Sequence, residues 1–410
     1  MPRAAILFMG VSLLAHGFMG QAAQAEDQFH EALSHTKPIL DMRLRYENVD
    51  QAPLTNEAEA LTLRTRFGFE TGKAWDTTLL VEGAWVTPLA DHYNSTVNGK
   101  VTYPTVADPT SLGLNRLQIT NTGIPSTTIT LGRQRINLDD QRFVGNSGWR
   151  QYEQTFDALR IVNKSVAGLT VDVAYLDRVN RVFGPNSPQG HYTGDSFLAN
   201  AAYTTSFGKL TGFAYLLQFD RIPGFTAERD STQTYGVRFA GSQDITTGVK
   251  VSYGATYATQ KQYKNNPLTF SNGYYLGQVI GTFDKVSGGV GYEVLEGNGA
   301  KGFTTPLATY HMHDGWDDKF LTTPPNGYKR LYFTAGYTEK NVGPFSSMSL
   351  TGFYHDFDAQ HVSMHYGHEV DLQLQAKWQK FTFTAKYADY KADKLFTDTR
   401  KFWLMAEYSL

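Results

Sequence analysis

Cysteine is absent from the 410 residues. That removes disulfides, thiolate nucleophiles and cysteine-ligated metal from consideration. No apolar run reaches the roughly 18 residues that a membrane-crossing helix needs, which excludes a bundle of such helices. Charge of one sign is missing too: 37 basic side chains stand against 39 acidic ones, for a net charge of −2. A chain so balanced carries no electrostatic footprint for nucleic acid or for a polybasic membrane contact. P-loop, dinucleotide-binding and EF-hand spacings do not occur. GNSGW at Gly145 is not a nucleophile elbow, and no Ser and His spacing favours a hydrolase.

What the chain does contain is 38 Gly, 24 Tyr and 26 Phe, with a mean hydropathy below zero. In a transmembrane β-barrel the apolar residues take alternate positions, so an average conceals them. The alternation is plain from Ile39 onward. Leu40, Met42, Leu44 and Tyr46 share one face, and Asp41, Arg43, Arg45 and Glu47 the other. LTLRTRFGFE repeats it, with Leu61, Leu63, Phe67 and Phe69 set against Arg64, Arg66 and Glu70. A period of two does not separate a soluble sandwich, whose charged face is outside, from a barrel, whose charged face is lumenal.

Connection lengths separate them. The sequence reads as about 18 strands of the roughly 9–11 residues that a bilayer requires. Short links such as GIPS at Gly123, SFGK at Ser206 and KNVGP at Lys340 alternate with long ones near 87–113, 137–154, 179–194, 259–272 and 297–328. Alternating tight turns and long loops make an antiparallel up-and-down barrel, with turns on the periplasmic side and loops outside. The last segment fits, since Phe402, Leu404, Ala406, Tyr408 and Leu410 alternate up to the final residue. At the other end, Arg3, an apolar centre from Ala4 to Leu14 and the small-residue stretch Ala23-Gln24-Ala25 form a secretory signal. Residues 1–25 are expected to be removed, leaving a single barrel domain over 26–410 in the outer membrane of a Gram-negative cell, among its lipid and lipopolysaccharide.

Three stretches carry more than periodicity. One runs from Leu131 to Val162, with GRQ at Gly132, DDQRFVG at Asp139 and WRQYEQTFDAL at Trp149. A second spans 292–332, with PLATYH at Pro306, GWDDKF at Gly315 and TTPPNGY at Thr322; the third is 39–70. Together they resemble the alginate-export family of outer-membrane barrels. The resemblance implies an 18-stranded barrel, an electropositive lumen and outward diffusion of an anionic polyuronate, with a periplasmic export partner as a further expectation.

The inward set on the first strands is the strongest chemical feature. Antiparallel pairing brings Arg43 and Arg45 close to Arg64 and Arg66, and like charges so placed need compensation. Glu82 on the third strand is expected opposite Arg64 or Arg66. Arg116, Arg160 and Arg238 also read as inward, as do Arg330, Lys250, Lys377 and Lys386. Rings of Arg and Lys select anions, so these side chains are candidates for guiding an anion; a bracing ladder of ion pairs is the equal alternative. In the loop after Gln134, Arg142, Trp149 and Arg150 are candidates for a constriction, with Arg133, Arg135, Asp139 and Asp140 beside them. A packed loop, in which Asp139 and Asp140 pair with Arg142 and Arg135, is the other reading. His311, His313 and Asp314, and His361, His365 and His368, have ligand-like spacing, but their places in or beside external loops make them ordinary solvated residues. No metal or cofactor is expected.

The sequence therefore predicts a passive outer-membrane channel for an anionic saccharide. Uptake of small organic or sugar acids through the same pore is the alternative within transport, and a barrel enzyme or an adhesin the alternative outside it.

Overall fold

The computed structural model describes residues 26–410; the expected secretory signal, residues 1–25, lies outside the described residues. Residues 26–34 are helical. The strands follow: β1 (Lys37–Gln51), β2 (Ala58–Glu70), β3 (Thr77–His92), β4 (Ser111–Asn121), β5 (Thr127–Gln134) and β6 (Thr155–Asn163). Then come β7 (Leu169–Asn180), β8 (His191–Thr205), β9 (Gly208–Leu217), β10 (Thr232–Thr246), β11 (Val249–Gln262) and β12 (Ser271–Phe283). The last six are β13 (Val286–Leu295), β14 (Tyr328–Val342), β15 (Phe345–Asp358), β16 (His365–Trp378), β17 (Phe381–Ala392) and β18 (Thr399–Ser409). They form one 18-stranded sheet. Each strand pairs antiparallel with its sequence neighbours, and β1 closes the ring on β18 from Asp41↔Ser409 to Gln51↔Thr399. A closed sheet leaves no edge with unpaired backbone, the condition for crossing lipid with strands. No helix among the described residues is long and apolar enough to cross a membrane.

Burial is inverted relative to a water-soluble protein. Arg45, Arg64, Glu47 and Glu82 are at most 1% exposed, whereas Leu112 is 66% and Leu131 58% exposed. The exposed apolar side chains recur on every other residue around the ring, including Leu44, Phe67, Leu117, Phe197, Tyr257, Phe333 and Leu372. A soluble monomer does not carry so continuous an apolar band; a transmembrane barrel requires one. The chain is a transmembrane β-barrel.

One end carries tight turns, such as 206–207, 247–248, 284–285, 343–344 and 379–380, and the other carries the loops. Several expected loop bounds shift; the β11–β12 loop is 263–270 and not 259–272. The β3–β4 loop is 93–110 and not 87–113, because WVTPLADH continues β3 past Pro88, where the ladder slips by one residue. The β7–β8 loop shrinks to 181–190, and 218–231 joins the long set.

Two loops do not stay at the loop end. Residues 135–154, between β5 and β6, and 296–327, between β13 and β14, pack inside the barrel. Phe143 anchors the first, with its ring centroid 4.9 Å from Phe213 and 5.2 Å from Tyr274. Phe320 anchors the second, stacked on Phe357 at 4.1 Å. The barrel core is thus built from loop aromatics seated on inward strand aromatics.

Candidate functional site

The first strands form a wall of arginines. Register sets Arg43 opposite Arg64 and Asp41 opposite Arg66. Arg43 is held by Glu407 on β18 at 2.7 Å, Arg64 by Asp41, and Arg45 by Asp108 from the β3–β4 loop. Glu82 does not face Arg64 or Arg66: its Cα partner across β2 is Gly68, and across β4 it is Arg116. The ladder shifts by one residue beside Glu82, and the bulge turns both Asn115 and Arg116 toward it. Arg116 donates to its two oxygens at 3.0 and 2.6 Å, and Asn115 at 2.5 Å. The spacing of inward residues was readable; a bulge in β4 was not.

Donors outnumber acceptors along this wall. Arg64 keeps Asp41, yet its Nε and Nη1 are buried and donate no hydrogen bond. Arg66 Nη2 stands 3.4 Å from Glu153 as an ion pair without a hydrogen bond, and its Nε donates none either. Buried donors without acceptors cost about 1–3 kcal/mol each.

The two inward loops are stitched to one another across the lumen. Gly145 N–H donates to Leu307 O at 2.8 Å, Thr309 N–H to Gln141 O at 3.0 Å, and Ser147 N–H to Thr309 Oγ1 at 3.0 Å. Each loop also grips the wall. Asp139 pairs with Lys209 at 2.8 Å and Asp140 with Arg238 at 2.9 Å. Arg142 holds Glu293 at 2.7 Å, both oxygens of Asp314 at 2.9 Å and the Tyr328 hydroxyl at 2.8 Å. Arg135 goes to Glu153 at 2.6 Å. The expected pairing of Asp139 and Asp140 with Arg142 and Arg135 is therefore wrong. Asp139 and Asp140 meet strand cations instead, because this part of the loop crosses the barrel, while Arg135 pairs within the loop, with Glu153.

At the centre of this septum Lys386 of β17 sits in an aromatic cage. Its Nζ lies 3.6 Å from the Trp316 ring centroid and 4.1 Å from that of Trp149, close enough for cation–π attraction. Trp149 stacks on His311 at 4.1 Å with an interplanar angle of 4°. Lys386 Nζ donates to His311 Nε2 at 2.7 Å, and His311 Nδ1–H donates to Asp318 Oδ1 at 2.8 Å. Asp318 also takes Arg150 at 2.8 Å and Lys401 at 3.1 Å. Burial, reinforced by Lys386, pushes the His311 imidazole well below its ordinary range and keeps it neutral. Burial opposes ionisation of Glu153, but Arg66 and Arg135 outweigh it and hold that carboxyl at about 2.

Two cavities meet at the cage. One, of about 270 Å³, opens toward the loop end and is lined by Arg150, Tyr310, Lys319 and Lys401. The other, of about 460 Å³, opens toward the turn end and is lined by Arg43, Gln373, Gln375, Lys386 and Glu407. Trp149, Thr309 and His311 belong to both walls.

Arg43, Arg45, Arg64, Arg66, Glu82, Arg116, Arg135, Arg142, Trp149 and Arg150 thus lie in and around one lumenal network. Arg238 joins the septum through Asp140, whereas Arg160 is inward but elsewhere, in a closed pair with Asp172 at 2.5 Å. Arg133 is not a loop residue. It lies on β5 in the outward phase of Leu131 and pairs with Asp157 at 2.6 Å. His311 and His313 are not solvated; His313 Nε2 sits 3.1 Å from Asp140 O inside the septum. Sequence reasoning gave no role to Trp316, Trp403, Asp318 or Asp108. The dense aromatic and acidic composition of GWDDKF was the available signal for the first and third.

No family model matches the chain, and no curated protein sequence matches it. The alginate-export resemblance therefore rests on the quoted residues alone. Solved structures do match. OccK9 (OpdG) of Pseudomonas aeruginosa is 14% identical with a TM-score of 0.72, over 92% of this chain and 99% of that one. OpdK of the same organism, solved with vanillate, is 12% identical with a TM-score of 0.71, over 92% and 99%. OccAB3 of Acinetobacter baumannii is 14% identical with a TM-score of 0.69, over 92% and 100%. At such identities the likeness is one of fold: the chain has the 18-stranded barrel architecture of these proteins along nearly its whole described length.

Proposed function

We propose that the protein is a passive outer-membrane channel for small organic anions, with its turn end in the periplasm and its loop end outside. The observation that carries this reading is the cavity of about 460 Å³ whose wall holds Arg43 and Lys386, backed by the buried charges of Arg64 and Arg66. Guanidiniums at a cavity wall match carboxylate geometry. Those fully engaged by acids brace the wall. A carboxylate solute entering the larger cavity meets Arg43 and Lys386 together, and the neighbouring acids keep binding weak enough for release. The OpdK structure with vanillate, itself a small aromatic carboxylate, supports the same choice of solute.

The septum favours a small solute over a polymer. A polyuronate passing outward, as the alginate-export resemblance implies, needs both loops to leave the lumen, and each is tied to several strands. No bond is made or broken on this reading, and no metal or cofactor takes part.

The test is reversal potential in a planar bilayer under a KCl gradient, repeated with benzoate. Anion preference with concentration-dependent benzoate block is the expected outcome. Cation preference, or conductance indifferent to benzoate, would refute it.

A further inference from the structure

The outer face of the loop end holds a cluster that the channel reading does not use. Asp356 and Asp358 lie on β15 in the outward phase of Tyr354, since His355 and Phe357 between them are buried inward. On β16 strict alternation would send His365 inward with Glu369. A bulge prevents it. The β15–β16 ladder slips by one residue at Phe357/Asp358, placing His365 opposite Asp358 and His368 opposite Asp356. Gly367 makes the slip possible: its φ is +145°, and a Cβ there would stand 2.3 Å from Lys391 O. Bulges re-aim side chains in this way.

The result is one imidazole between two carboxylates. His365 Nδ1 is 3.2 Å from Asp358 Oδ1, and His365 Nε2 is 3.9 Å from Asp356 Oδ1. One donor atom from each of the three residues lies within 4.8 Å of the others. No Lys or Arg among the described residues is within ion-pair distance of either aspartate. Elsewhere in this barrel acids such as Glu82, Glu153 and Asp318 are matched with a guanidinium or ammonium. Here two like charges on one face of one strand have only the histidine within ion-pair distance, with Lys329 across the ladder from Asp358 standing farther off.

We propose that Asp356, Asp358 and His365 form a divalent transition-metal site of the Zn²⁺ class on the outer rim of the barrel. A mixed imidazole and carboxylate set suits Zn²⁺, and three protein ligands are too few for Ca²⁺, which takes 6–8 oxygens. Tetrahedral Zn²⁺ at about 2.0–2.2 Å from each ligand sets donors about 3.3–3.5 Å apart; one His365 nitrogen and one oxygen of each aspartate already lie within 4.8 Å of one another, so small side-chain rotations close the site. The fourth position stays open, with His368 on the same face beside Asp356. The site is independent of what passes through the lumen.

The test is calorimetric titration of the detergent-folded full barrel with ZnCl₂ near pH 7.5. One saturable equivalent is expected. His365→Ala and Asp358→Asn, with unchanged circular dichroism, should each weaken it by 10-fold or more. His361→Ala, in the adjoining loop, should leave it within 2-fold. Absence of saturable binding in the parent protein overturns the proposal. Equal affinity in His365→Ala and His361→Ala overturns it too, by assigning the binding to other residues.

Discussion

Arg64 and Arg142 are both about 1% exposed, inside the same barrel, yet their environments are opposite. Arg142 is saturated: two carboxylates and a tyrosine hydroxyl take its Nε, Nη1 and Nη2. Arg64 shares its wall with Arg43 and Arg66 and leaves Nε and Nη1 without acceptors. Position on an inward face therefore does not tell a guide from a brace. The number of acceptors does. A guanidinium whose donors are all taken fixes a loop, and one whose charge is left under-compensated draws a passing carboxylate to the wall.

The sharpest way to break the comparison is to remove the brace. Arg142→Ala leaves Asp314 and part of Glu293 buried without their partner, a loss of about 3–5 kcal/mol for a broken buried ion pair. The septum should loosen, so single-channel conductance should rise severalfold while the strands persist by circular dichroism. Conductance unchanged from the parent would show that Arg142 does not hold the septum.

Arg64→Ala with Arg66→Ala should do the reverse. Conductance should change little, while the preference for anions and the benzoate block should fall several-fold, because two positive charges leave the wall beside Arg43.

A smaller effect follows from pH. Neutral His311 accepts from Lys386, and the protonated ring would oppose it. Its folded pKa lies below the ordinary 6.5, so its stabilisation is complete above 6.5 and declines as pH falls toward the depressed value. Glu153, lowered from 4.5 to about 2, contributes above 4.5 and loses that contribution as pH falls toward 2. Conductance should rise on acidification below neutrality, and His311→Ala should flatten the upper part of the profile. The smallest effect belongs to Arg133→Ala. That residue faces outward in a partly exposed pair, and its loss should cost about 1 kcal/mol or less and leave selectivity intact.

The strand ring was legible because period-two alternation and loop-length segregation are local properties. So was the nearness of Arg43 to Arg64, which needs only antiparallel register around one connection. The pairing of Glu82 was not: the β2–β3 register sets it opposite Gly68, two residues past Arg66, and a bulge in β4 adds Asn115 beside Arg116 without any trace in the composition. The partners of Arg142 were hidden for a different reason. Glu293 and Asp314 lie far along the chain, and only a loop crossing the barrel brings them to it. The stretches around Trp149 and Gly315 stood out in the sequence as two separate motifs. That they dock on one another, and cage Lys386 from β17, is a long-range event that no spacing encodes.

The most direct test is the reversal potential of the parent barrel and of the Arg64→Ala/Arg66→Ala variant under the same KCl gradient. The acceptor rule predicts an anion-selective parent and a variant whose potential moves toward zero with its conductance retained. Identical potentials in a properly inserted variant would contradict it and return these arginines to a bracing role.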